Sequence, residues 1–146
     1  MRDMALEAAK QSMAIERETI ANTLDNLNEK ALMDAVDILC ASGKIITSGS
    51  GSSGIAAKKF AHTLCCIEKD GYFLSPSEAL HGGLGCIKQG DALVLVSRGG
   101  KTAELLPMIN AVKEKCAKLI VITENIGSPL AQAADAVMPL RVEREA

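Results

Sequence analysis

Aromatic side chains are almost missing from this 146-residue chain: two Phe, one Tyr and no Trp. Any core must therefore be aliphatic, built from Ala, Leu, Ile, Val and Met. The net charge is only −2, so no strong field of either sign exists to draw nucleic acid or an acidic membrane. No apolar run has the length of a membrane span, and the opening M-R-D-M-A-L-E lacks the apolar stretch of a signal peptide. No CxxC or Cys/His cluster has zinc spacing, so no metal is expected. The five cysteines, Cys40, Cys65, Cys66, Cys86 and Cys116, read as small buried thiols of a reducing cytoplasm.

What is present falls into two rhythms. Residues 4–41 read as a pair of helices. Leu6, Met13, Ile20 and Leu27 recur every seven residues, with Leu24 alongside and charge between. The second helix should bury Leu32, Ala35, Val36, Leu39 and Cys40 and stop at Gly43 as a C′ glycine. After Gly43 short apolar runs alternate with helical patterns. Strands are expected at 44–48, 71–74, 91–97, 118–123 and 136–140, and helices near 53–66, 102–115 and 128–134. The runs Ala92-Leu93-Val94-Leu95-Val96 and Leu119-Ile120-Val121-Ile122 carry no polar alternation, which suits parallel strands covered on both faces. The helix over 53–66 should bury Ala56, Ala57, Phe60, Ala61 and Leu64 and leave Lys58 and Lys59 outside. The whole predicts a doubly wound α/β domain over 44–146, preceded by a helical pair over 1–43 that serves oligomerisation.

Three strand ends converge on one edge of that sheet. The first runs Ser48-Gly49-Ser50-Gly51-Ser52-Ser53-Gly54, the third Ser97-Arg98-Gly99-Gly100-Lys101-Thr102, the fourth Thr123-Glu124-Asn125. Glycines let backbone N–H groups approach an anion, helix N-termini add positive charge, and hydroxyls donate. The first loop also spells G-x-G-x-x-G. A dinucleotide fold needs an acid at the end of the second strand for the ribose. Here that strand ends Phe73-Leu74-Ser75-Pro76, so a compact phosphate monoester fits better and no cofactor is expected. The P-loop spacing fails as well, because Gly99 and Gly100 stand too close to Lys101-Thr102. Of the two histidines, His62 falls inside a helix, where packing is the simpler role. His81 lies in Glu78-Ala79-Leu80-His81-Gly82-Gly83-Leu84-Gly85, a polar glycine-flanked stretch free to reach a ligand and to titrate near neutrality.

The segments "ITSGSGSSGIAAKKFAHTL", "SPSEALHGGLG", "DALVLVSRGGKTAELL", "LIVITENIGSPLAQAADAVMPL" and "VEREA" resemble the SIS (sugar isomerase) domain family over about residues 30–146. The likeness is closest to its arabinose-5-phosphate isomerase branch. The resemblance implies a five-stranded parallel sheet with helices on both faces, homo-oligomers, and a phosphorylated sugar as ligand. It implies phosphate held by Ser50, Ser52 and Ser53 in the first loop and by Ser97 and Thr102 in the second. It also implies Glu145 as the enolising base, His81 as the ring-opening acid/base, and Lys101 or Arg98 as a cation near the oxyanion or phosphate. The simpler reading of Glu145 is a solvated end of the charged run Arg141–Glu145. The chain departs from the family where Ser52 replaces a lysine, where Arg98, Gly99 and Lys101 replace Asn, Ser and Glu, and where Gly83 replaces an Asp. A further segment with another helix and histidine, and the CBS pair that often follows it, are not among these residues. The expected function is an aldose–ketose sugar-phosphate isomerase acting through a cis-enediol. The alternative is a domain that senses phosphosugars without turning them over, and neither reading calls for nucleic acid or a membrane.

Overall fold

The structure is a computed structural model and describes residues 2–142. Two helices lead: α1 (Arg2–Asp25) and α2 (Glu29–Ala41). Alternating strands and helices follow: β1 (Lys44–Gly49), α3 (Gly51–Cys66), β2 (Asp70–Phe73), α4 (Pro76–Leu80), β3 (Ala92–Val96), α5 (Leu106–Glu114), β4 (Lys118–Thr123), α6 (Pro129–Ala133) and β5 (Ala136–Pro139). The strands form one sheet in the order β2-β1-β3-β4-β5, and every pairing is parallel. The order reverses at β1, which pairs with both β2 and β3, and that is where such sheets open a crevice at their C-terminal edge.

The expectation of uninterrupted apolar strands holds because both faces are covered. Successive side chains point to opposite faces, so β1 sends Ile45 one way and Ile46 the other. Ile46, Leu93, Leu95, Leu119 and Val121 pack with Met108 and Val112 of α5 and Leu130 of α6. Ile45, Val94 and Ile120 pack with Ala35 of α2 and Leu64 of α3. Each of these large aliphatics, fully buried, contributes about 1.5–3 kcal/mol relative to exposure. Small residues bring α3 close: Gly71 of β2 leaves no room for a Cβ, which would lie 2.5 Å from the Ala61 carbonyl oxygen.

Several burial expectations fail at the surface. Cys40, Cys65, Cys66 and Cys116 are exposed and Cys86 is half-buried. They fall on outward helix faces or in turns, where residue type does not decide burial. Ala56 is exposed for the same reason, while Ala57, Ala61 and Leu64 are buried. In α2 only Ala35 is fully buried. That helix ends without a left-handed glycine: Ser42 is extended, and both its N–H and its hydroxyl donate to the Ile38 carbonyl, at 3.1 and 2.7 Å. Helix α5 starts at Leu106, after a turn in which the Leu105 N–H donates to the Thr102 carbonyl at 3.0 Å. Helix α1 has no buried residue. Ser12, Ile15, Thr19 and Asn22 are half-covered, whereas Met13, Ile20 and Leu24 on the heptad stripe are 68–71% exposed. Among the described residues no helix is long and apolar enough to cross a membrane.

Carboxylates fasten the N-terminal edge of the sheet. Asp91 accepts from the backbone N–H groups of Lys44 (3.2 Å) and Lys88 (2.8 Å). Asp135 accepts from the Leu119 N–H at 2.8 Å and from Lys118 Nζ at 2.7 Å. Partial burial works against the charged form of Asp135, but Lys118 and the Leu119 N–H outweigh it and hold its carboxyl below the usual range. A lowered folded-state value means the stabilisation is present above the unfolded value and is lost as pH falls through the folded one. Asp135→Asn is expected to cost on the order of 1 kcal/mol at neutral pH, a modest figure because a third of the side chain is exposed. Urea melts of both proteins should converge as pH drops below about 4; a gap that persists undiminished in acid would show that charge is not the cause.

Candidate functional site

The C-terminal edge of the sheet holds a cleft of about 570 Å³ between the start of α3, the end of β2, α4 and the turn before α5. Its floor is the first glycine-serine loop. Three glycines there have three separate causes. A Cβ on Gly49 would meet the Ser53 carbonyl oxygen at 2.8 Å, and one on Gly54 would meet the Gly49 carbonyl oxygen at 2.5 Å. Gly51 has open space but a left-handed φ of +57°. The fingerprint spacing thus makes a very tight strand-to-helix turn, whatever ligand it meets. Thr47 pins that turn from below, its hydroxyl donating to the Ala57 carbonyl of α3 at 2.7 Å.

Not all the hydroxyls of this loop reach the cleft. Ser50, the extended residue before α3, makes no capping bond with its side chain and lines the cleft. Ser52 is exposed and Ser53 half-buried, and neither is among the lining residues. Ser48 is fully buried, and its hydroxyl has no partner among the described residues.

The second loop is folded in on itself. The hydroxyls of Ser97 and Thr102 lie 2.8 Å apart, and Ser97 Oγ also accepts from the Gly100 N–H at 3.1 Å. Gly100 has φ +65°, and a Cβ there would fall 1.9 Å from Ser128 Oγ. The Leu130 N–H donates to its carbonyl at 3.2 Å. The loop is therefore locked onto the N-terminus of α6, where Ser128 caps by accepting from the Ala131 N–H. Lys101 is exposed, and Ser97, Lys101 and Thr102 are not lining residues of the cleft. Arg98 is engaged elsewhere: its Nε lies 2.6 Å from Glu124 Oε2, and a terminal nitrogen donates to the Val142 carbonyl at 3.0 Å. Glu124 also accepts from the Val142 N–H at 2.7 Å. The Arg98 hydrogen bond, then that of Val142, holds the Glu124 carboxyl below its usual range.

His81 does line the cleft, as the exposed residue that ends α4. It is placed there by Ser75-Pro76, an extended residue followed by a buried proline at the first helical position. Gly82 then turns the chain with φ +105°. His62 is far from this role: on α3, its Nδ1 lies 3.7 Å from Cys66 Sγ one turn later. Glu145 lies outside the described residues.

Four side chains of the cleft carried no functional reading in the sequence. Ser75 and Ser77 flank the proline, and Glu104 comes from the turn after the second loop. Lys58 lines it from the second turn of α3. The helical spacing of Gly51, Gly54, Ile55 and Lys58 is the signal that would have found Lys58, since they share one face. Among the described residues no group of three or more His, Cys, Asp or Glu is placed to hold a metal ion.

Fold and cleft together define a doubly wound α/β domain with a glycine-floored cleft at the strand reversal. The SIS domain family matches residues 37–146, and the chain belongs to that family. It is 36% identical over all its 146 residues to an arabinose 5-phosphate isomerase, GutQ, of Salmonella typhimurium, covering 46% of that relative. The chain thus spans about half the length of the curated relatives it matches. A candidate sugar-phosphate isomerase of Listeria monocytogenes superposes with a TM-score of 0.95 at 40% identity, over 99% of this chain and 76% of that one. A protein of E. coli CFT073 in complex with A5P gives 0.90 at 31% identity, over 99% of this chain and 77% of that one.

Two of the left-handed glycines, Gly51 and Gly100, should respond differently to a methyl group. Gly51→Ala, with open space, is expected to cost about 1–2 kcal/mol from φ alone. Gly100→Ala adds the collision with Ser128 and should cost roughly 3 kcal/mol or more. Equilibrium denaturation of both variants checks this, and equal costs would refute the locked second loop.

Proposed function

We propose that this chain is the SIS domain of an aldose–ketose sugar-phosphate isomerase and that the cleft holds the phosphosugar. The observation that carries the reading is one cleft lined by a histidine, a carboxylate and three serines, His81, Glu104, Ser50, Ser75 and Ser77. It is supported by membership of the family and by relatives named for arabinose 5-phosphate isomerisation.

The reaction needs few groups. A base takes the C2 proton of the open-chain aldose, and the C–H electron pair forms the enediolate. The O2 proton moves to O1, a proton returns to C1, and the ketose results with no net oxidation. Donors near O1 and O2 stabilise the intermediate. Glu104 is the carboxylate of the described residues that lines the cleft, and we assign it the proton transfer; Glu145, the base implied by family resemblance, is the rival for the same step. His81 opens the ring or orients the hydroxyls. Ser50, with the N–H groups at the start of α3, takes phosphate, and Ser52 and Ser53 contribute through backbone. Ser97 and Thr102 act by holding the second loop in shape, with Lys101 as an outlying cation. The five free thiols suit a reducing compartment such as the cytoplasm.

Proton exchange at C2, followed by NMR in D₂O across aldose and ketose phosphates, tests the activity. His81→Gln and Glu104→Gln are each expected to lower exchange by roughly a hundredfold or more while phosphosugar binding persists. Full exchange in Glu104→Gln with loss in Glu145→Gln would transfer the base to Glu145. Binding by the unaltered protein without any exchange would leave the sensing function in its place.

The solvent-facing stripe of α1 supports self-association, because Met13, Ile20 and Leu24 are exposed large apolar side chains left uncovered among the described residues. Met13→Glu with Ile20→Glu should shift the protein toward monomer in sedimentation or light scattering. A monomer before mutation would remove this part of the proposal.

A further inference from the structure

A phosphosugar dianion calls for a cation, and the two basic residues of the second loop do not face the cleft. Arg98 is bonded to Glu124 and Val142. Lys101 is exposed and is not among the lining residues. Ser52 in the first loop has no charge. The basic side chain on the cleft wall, apart from the titratable His81, is Lys58.

Its setting differs from that of the lysine beside it. Lys59 turns to Thr63, with Nζ 3.1 Å from the hydroxyl. Lys58 has neither an ion pair nor a side-chain hydrogen bond among the described residues, and it follows Gly51, Gly54 and Ile55 on the cleft face of α3. Seven residues place its Cα roughly 10 Å along the axis from Gly51. Long helical side chains lean toward the helix N-terminus. A lysine at this position can therefore extend its ammonium back over Ile55 toward Ser50 and the N–H groups of the first turn. The glycines at 51 and 54 put no side chain in its way.

We infer that Lys58 is the phosphate-holding cation of this cleft, acting together with the N-terminal turn of α3. This rests on the isomerase reading for the identity of the ligand, and adds the residue that selects its charged end. The ammonium and the helix terminus approach the phosphate from two sides, so the dianion is gripped and the sugar chain is directed toward His81 and Glu104. A neutral sugar gains nothing from either.

Calorimetry with arabinose 5-phosphate, arabinose and inorganic phosphate tests it on the whole chain. Lys58→Met should weaken arabinose 5-phosphate and inorganic phosphate by about tenfold or more, as expected for a charge-assisted bond. Lys58→Arg should restore most of that affinity, and arabinose should bind all three proteins alike. Thermal melts should coincide, because the side chain is exposed. Equal affinity of Lys58→Met and the unaltered protein for both phosphorylated probes would overturn the inference and leave the isomerase reading intact. Lys58-dependent binding of inorganic phosphate without any affinity for the sugar phosphate would uphold the inference and count against arabinose 5-phosphate as ligand. No binding of either probe by the unaltered protein would overturn both.

Discussion

The contact between Gly49 and Gly54 is the constraint on which the C-terminal edge depends. Backbone meets backbone there, with the Gly49 carbonyl against the Gly54 Cα. Because nothing larger than hydrogen fits, α3 starts directly above the end of β1 instead of being displaced by a longer loop. Thr47 fixes the same junction from inside the sheet through the Ala57 carbonyl. The position of α3 then sets the position of Ser50, Ile55 and Lys58 on one wall. The opposite wall is set independently by Ser75-Pro76, which swings α4 across and brings His81 to its end. The cleft is the gap between two rigidly built helix starts, at the one strand where the sheet order reverses.

The two edges of the sheet use polar groups differently. At the N-terminal edge, Asp91 and Asp135 satisfy backbone N–H groups that the ladder leaves over. Their partners are main-chain donors, joined at Asp135 by the Lys118 ammonium, so these carboxylates are already engaged in holding the fold. At the C-terminal edge, the second loop is also satisfied internally, through the Ser97–Thr102 pair and the lock of Gly100 on Ser128. The first loop is not: Ser50 has no side-chain cap bond. Free donors on a preformed turn suit binding, whereas a paired hydroxyl must break one bond to make another. That difference is why the proposed reading gives the ligand to the first loop and an architectural role to the second.

The fold was legible because its signals are redundant. Strands β3 and β4 are apolar runs flanked by turns, and strand runs alternate with helical periods, so one error would not change the topology. The strand limits moved by a residue or two. The site was legible in part, for a different reason. His81 could be picked out because glycines surround it, and Ser50 because it stands between two. Lys58 and Glu104 could not, because an exposed charged residue on a helix or in a turn looks the same whether it faces solvent or a cleft. Ser97, Lys101 and Thr102 show the converse. Their residue types suit an anion, but type does not reveal that a glycine at 100 packs on Ser128 and turns the loop inward. Burial of cysteine failed similarly, since it is a property of the residue's face and not of its name.

Charge at this site has therefore to be read by helical face, not by loop. The second loop contains Arg98 and Lys101, and a count of basic residues near glycines would place the cationic pole there. The geometry instead ties Arg98 to Glu124 and Val142, so that positive charge is neutralised and used to hold chain. Removing Arg98 from the ligand leaves the start of α3 and Lys58 as the positive features of the cleft, both on the side of β1 away from β4. A dianion drawn to that side leaves the other end of a five- or six-carbon chain directed across the cleft, toward the wall that carries His81 and the turn that carries Glu104. On the proposed reading, binding and chemistry are thus separated along the length of the ligand. Ser52 leaves the first loop without a basic side chain, and the same helix offers one at Lys58, about two turns later.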